Sequence, residues 1–157
     1  MSIAALPIRT DLLTQVGVPH AMSVLDQAEL SLERSGVPDR DAQRSRQMRR
    51  AVKAWLGIWR LRAHVDDAQL LLSELVTNAF QHGTGDVRVR LFRTEAYLCF
   101  EVRSTGPGTP TPRSADDLDE SGRGLFLVEA FADRWAVSAD GAGVWCTLPI
   151  DRPEITR

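Results

Sequence analysis

The most constraining feature of this chain is a two-faced segment at residues 65–81. Ala68, Leu71, Leu72, Leu75, Val76 and Ala79 recur at the three-and-four spacing of one helix face, so that face has to be buried. Asp66 or a neighbour is placed to cap the start, and Gly83 to stop the end. Immediately afterwards DVRVRLF (86–92) and YLCFEVR (97–103) alternate as strands do, and the short link at 93–96 suits an antiparallel hairpin. A one-sided helix followed by a hairpin calls for a helical layer laid on a sheet.

The rest of the chain extends that plan. AELSLER (28–34) reads as a strand with Leu30 and Leu32 on one face, and Gly36, Pro38 and Asp39 supply a break and an N-cap. Residues 39–59 are helical, with Met48, Ala51, Val52, Trp55, Leu56 and Trp59 as the buried stripe. After 103 come a loop rich in Gly, Pro and Thr, a charged segment, a short helix from about Gly122, and strands near 134–139 and 143–150. The expected class is α+β: a two-layer α/β sandwich whose mixed, mainly antiparallel sheet carries helices on one face. Residues 28–150 form the expected domain. Residues 1–27 show no persistent period and are compatible with a tail, a partner-binding arm or an extra strand, and 151–157 read as a tail.

Composition narrows the function classes. A chain of 157 residues supports a single core, and 43% apolar with 25% charged residues is the balance of a globular domain. The net charge of -2 excludes a globally basic nucleic-acid binder. No apolar run is long enough to span a membrane, and the N-terminus lacks the pattern of a signal peptide. Cys99 and Cys146 have neither metal-ligand nor redox spacing, which fits a cytoplasmic chain with reduced thiols. Nine of the nineteen cations fall within residues 34–62, against only Asp39 and Asp41. That excess suits an acidic partner or a solvated helix face; without aromatic interleaving or a DNA-binding motif it predicts no direct nucleic-acid contact.

The chemistry lies on the other side of the 65–81 helix. Ser73, Glu74, Thr77, Asn78 and Gln81 recur at helical spacing, and Glu74, Asn78 and His82 stand one turn apart in line. A carboxamide oxygen is a hard ligand suited to Mg2+, and a carboxylate can take a proton. Solvated faces favour Lys, Arg and Glu, whereas this one sets amides and hydroxyls around one acid. Two glycine clusters follow. Ser104, Thr105, Gly106, Pro107 and Gly108 end a strand, where small residues let a ligand approach the backbone. Ser121, Gly122, Arg123, Gly124 and Leu125 open a helix, whose free amides suit phosphate. The acidic segment between them reads as a mobile lid or as a plain surface loop.

In this order the parts resemble the GHKL ATP-binding superfamily, whose Bergerat fold is shared by gyrase, Hsp90 and histidine kinases. SELVTNAFQHG (73–83) resembles its N box, SGRGLFLVEAFADRWAV (121–137) the second glycine box as written in anti-sigma factor serine/threonine kinases, and VWCTLP (144–149) the terminal strand of that subfamily. The resemblance implies ATP and Mg2+ as cofactors, Glu74 as the base that activates the attacking hydroxyl, and Asn78 as the Mg2+ ligand. It places Gly122, Arg123, Gly124 and Leu125 at the phosphates, with His82, Ser104, Gly106, Gly108 and Thr147 completing the nucleotide site. It further implies a Ser or Thr of a STAS-type anti-sigma factor antagonist as phosphoryl acceptor, an alternative sigma factor as sequestered partner, and a homodimer. Two positions depart from the pattern: Ser104 replaces an adenine-anchoring Asp, and Gly143 replaces a Thr. A charge-assisted bond is roughly twice as strong as a neutral one, so the alternative is a catalytically weak module of the same fold acting by protein contact.

Overall fold

The computed structural model describes residues 24–35, 38–106, 124–138 and 140–150. Strand β1 (Asp26–Leu32) leads to helix α1 (Pro38–Ile58), a 3-10 turn (Arg62–His64) and helix α2 (Val65–His82). Strands β2 (Val87–Arg93) and β3 (Tyr97–Ser104), helix α3 (Gly124–Phe131), and strands β4 (Arg134–Val137) and β5 (Gly143–Pro149) follow. Each element stands where the hydrophobic period places it. β1 begins at Asp26, two residues ahead of the expected 28, because its ladder runs on to pair Asp26 with Arg93. The Arg93 guanidinium donates to the Asp26 carboxylate at that end, and Nε lies 2.6 Å from Oδ2. Helix α1 starts at Pro38, so Asp39 sits inside the first turn and is not the N-cap. Proline at the first helical position is favoured because its φ is already helical and the missing N–H has no partner there.

The sheet order is β1-β2-β3-β5-β4. Every pairing is antiparallel, so the mixed sheet expected from the sequence is antiparallel throughout the described strands. The β2–β3 turn is closed by Thr94, whose hydroxyl accepts from the Tyr97 amide at 3.0 Å.

One face of the sheet carries the main core. Leu32, Val87, Val89, Leu91, Leu98, Phe100, Val102, Val144, Cys146 and Leu148 meet Met48, Val52, Leu56 and Trp59 of α1 and the whole predicted stripe of α2. Burying each such side chain contributes about 1.5–3 kcal/mol, so this layer fixes α2 on the sheet. Helix α3 packs along α2 and against β4, with Val128 fully buried.

The opposite face holds a smaller cluster of Phe92, Cys99 and Trp145, with Val24, Tyr97 and Ala136 against it. Beside that cluster run ion pairs: Glu29 with Arg88 (3.1 Å) and Arg90 (3.7 Å), and Glu101 with Arg103 (3.5 Å).

Candidate functional site

The site is built on the half of α2 that the core does not use. Glu74 is half-buried, Asn78 buried and His82 exposed, so burial is greatest in the middle of the line, which ends in solvent at His82. Thr77 is spent on its own helix, its hydroxyl donating to the Ser73 carbonyl at 2.8 Å. Asn78 is different. It is only 5% exposed, and its carboxamide makes no hydrogen bond to any described residue. A hard oxygen donor without a described protein partner thus stands one helical turn from the Glu74 carboxylate.

The second wall of the site lies where α2 ends. Gly83 has φ -101° and extended ψ, so it stops the helix without the left-handed cap that glycine usually supplies there. Its reason is space: a Cβ at 83 would fall 1.8 Å from Ser104 Oγ. Ser104, the last residue of β3, donates its hydroxyl to the Ala79 carbonyl at 3.2 Å. Beyond it Gly106 N–H donates to Thr84 O (2.8 Å), and Thr105 N–H to Asp86 O (2.9 Å). A Cβ on Gly106 would lie 2.3 Å from the Thr84 carbonyl carbon, and Gly85 takes the left-handed φ of 71° against it. The segments 83–86 and 104–106 are thus in backbone-to-backbone contact, which only glycines permit.

Arg34 holds this corner from outside. Its Nε donates to Gly85 O (2.8 Å), one terminal nitrogen to Phe80 O (2.8 Å) and the other to Gly83 O (3.0 Å). Its backbone N–H donates to Asp86 Oδ1 (2.9 Å). Arg34 and Arg44 also lie over the Phe80 ring, 5.1 and 4.4 Å from its centre. Two members of the basic run are therefore structural, which the charge count does not separate from a solvated face. Carbonyl partners that lie 46 to 51 residues along the chain leave no local signal.

The structure brings Glu74, Asn78, His82, Ser104 and Gly106 to one helix and the strand end beside it. Gly124 and Leu125 open α3, which packs along α2. Gly108, Gly122, Arg123 and the expected lid lie outside the described residues. Thr147 is corrected. It pairs directly with Cys99 on the face that carries Phe92 and Trp145, it is 2% exposed, and the sheet separates it from α2. The same parity corrects the reading of Gly143. A Cβ there would meet Ser138 and the Arg103 guanidinium, on the far face, so the missing Thr removes no anchor from the α2 side. Of the two departures, only Ser104 touches the site.

A family model described as a histidine kinase-like ATPase domain matches residues 37–148, from just ahead of α1 into β5. The chain belongs to this histidine kinase-like ATPase family. No curated protein matches it as a relative. The chain is a GHKL-type ATP-binding regulatory domain. Its residues fit that ligand: a carboxamide without a described partner, a neighbouring carboxylate, and a strand end with room only for glycine at 106. No described helix of this ATPase domain is long and apolar enough to cross a membrane.

Proposed function

We propose that this histidine kinase-like ATPase domain is an ATP-dependent protein serine/threonine kinase of the anti-sigma factor type. In this reading it acts in the cytoplasm, phosphorylates a Ser or Thr of a STAS-type antagonist, and sequesters an alternative sigma factor as a homodimer. The observation that carries the proposal is the Glu74–Asn78 pair, a half-buried acid one turn from a carboxamide that makes no hydrogen bond to any described residue. Mg2+-ATP would supply the transferable phosphoryl group, with Asn78 Oδ1 as the protein's ligand to the metal. Glu74 would accept the proton of the incoming hydroxyl, and Ser104 and Gly106 would seat the base. Catalysis of this kind comes from positioning and charge neutralisation more than from covalent chemistry.

The test is transfer of labelled phosphate from ATP, with Mg2+, to a purified STAS-type antagonist. Phosphoserine or phosphothreonine that disappears with Glu74→Gln supports the kinase. Antagonist binding without any transfer would leave the second reading, a binding module of the same fold. That reading is favoured by Ser104, whose hydroxyl proton is already committed to Ala79 O, so adenine would be met by a neutral lone pair and not by a carboxylate.

A further inference from the structure

Arg34 precedes the span that matches the family, and nothing in the N box or glycine boxes calls for it. Its surroundings give it a role. The last carbonyls of a helix need partners, and a cation at that end is favoured by the helix dipole. At α2 the partner is one guanidinium, whose rigid fork reaches the carbonyls of Phe80, Gly83 and Gly85 together. The Arg34 backbone adds the bond to Asp86, so the whole 80–86 corner is tied to the end of β1. That corner has no slack toward β3. Thr84 O and Asp86 O accept from the Gly106 and Thr105 amides, and the Gly106 backbone lies against Thr84 and Gly85 with no room for a methyl group. Moving 83–86 moves 104–106.

We propose that Arg34 is a positioning residue for nucleotide binding: it fixes the end of α2 and the 83–86 turn, and through them the place of Ser104 and Gly106. It touches no nucleotide itself. The inference rests on the reading of Ser104 and Gly106 as the base side of the ATP site. A lysine, a point charge without the fork, holds one or two of the three carbonyls at once and replaces it only in part.

The test compares wild type, Arg34→Ala, Arg34→Lys and Arg93→Ala, the last removing the ion pair at the other end of the same strand pair. Two quantities are read: ATP affinity by calorimetry, and hydrogen exchange at the Thr105 and Gly106 amides. Arg34→Ala is expected to weaken ATP about tenfold and to speed exchange at both amides, with Arg34→Lys intermediate and Arg93→Ala at wild-type values. Faster exchange with unchanged ATP affinity would make Arg34 merely structural and overturn the proposal. Weaker ATP with unchanged exchange would overturn it too, since the effect would then travel another way. If Arg34→Ala does not fold, Arg34→Lys carries the same two readouts. Absence of ATP binding by wild type would remove the nucleotide reading itself, and the inference with it, whereas wild-type affinity in a folded Arg34→Ala sinks the inference alone.

Discussion

Asn78 is 5% exposed, stands one turn from Glu74, and its carboxamide has no described partner. Asn78→Ala breaks no hydrogen bond to a described residue and is expected to leave the nucleotide-free melting temperature close to that of wild type. Glu74→Gln should keep ATP affinity within about threefold while abolishing phosphoryl transfer, because it removes a proton acceptor and little volume. Ser104→Asp brings a carboxylate toward the Ala79 carbonyl that the hydroxyl now satisfies. It should lower the melting temperature without ligand and raise the shift that ATP produces; a variant that shifts no more than wild type would show that the base lies elsewhere. Glu74, Asn78 and His82 were legible in the sequence because helical spacing alone puts them in line. Thr147 was not, since VWCTLP is buried on both faces and gives no alternation from which to read its side.

At the scale of elements, two glycines in helical contexts are expected to respond in opposite directions. A Cβ at Gly57 meets nothing within 4 Å, so Gly57→Ala near the end of α1 should stabilise by about 0.5–1 kcal/mol through the lower chain entropy of alanine. Gly83→Ala drives the same methyl group into Ser104 and should lower the melting temperature and ATP affinity together. Chemical denaturation of both variants checks the pair. Within α2, Leu72→Ala empties a fully buried position between helix and sheet and should cost about 2–5 kcal/mol. The periods of 3.6 and 2 made helices and strands readable almost to the residue. They gave no sign of how α2 ends, because that depends on Arg34 and Ser104, which the chain brings from either side.

For the whole molecule, the sheet divides two chemistries. The α2 side carries the candidate site, and the far side carries Phe92, Cys99 and Trp145 with its ion pairs. Burial pushes the Cys99 thiol up to about 12, and Cys146, deeper and beside it, higher still. Neither should react with a thiol reagent at pH 8 until the chain unfolds; fast reaction of Cys99 in the native protein would show the far face to be open, and of Cys146 the main core. The far face also carries a pH-sensitive clasp on the β4–β5 turn. The Ser138 hydroxyl, then the Arg103 guanidinium, hold the Asp140 carboxyl at about 2, below its ordinary 3.8. A lowered folded-state value stabilises above the unfolded one, so the clasp is complete above about pH 4 and is lost as pH falls toward 2. Asp140→Asn should remove that part of the acid dependence.

The near-neutral charge concealed this division, since ion pairs and the two structural arginines, Arg34 and Arg44, cancel from sight in a sum. The central claim, that ATP is held on α2 beside Asn78, is tested most directly by calorimetric titration of Mg2+-ATP into wild type and Asn78→Ala. Micromolar binding by wild type that weakens at least tenfold in a folded Asn78→Ala is the predicted result. Binding that Asn78→Ala leaves intact, or no binding by wild type, would contradict it.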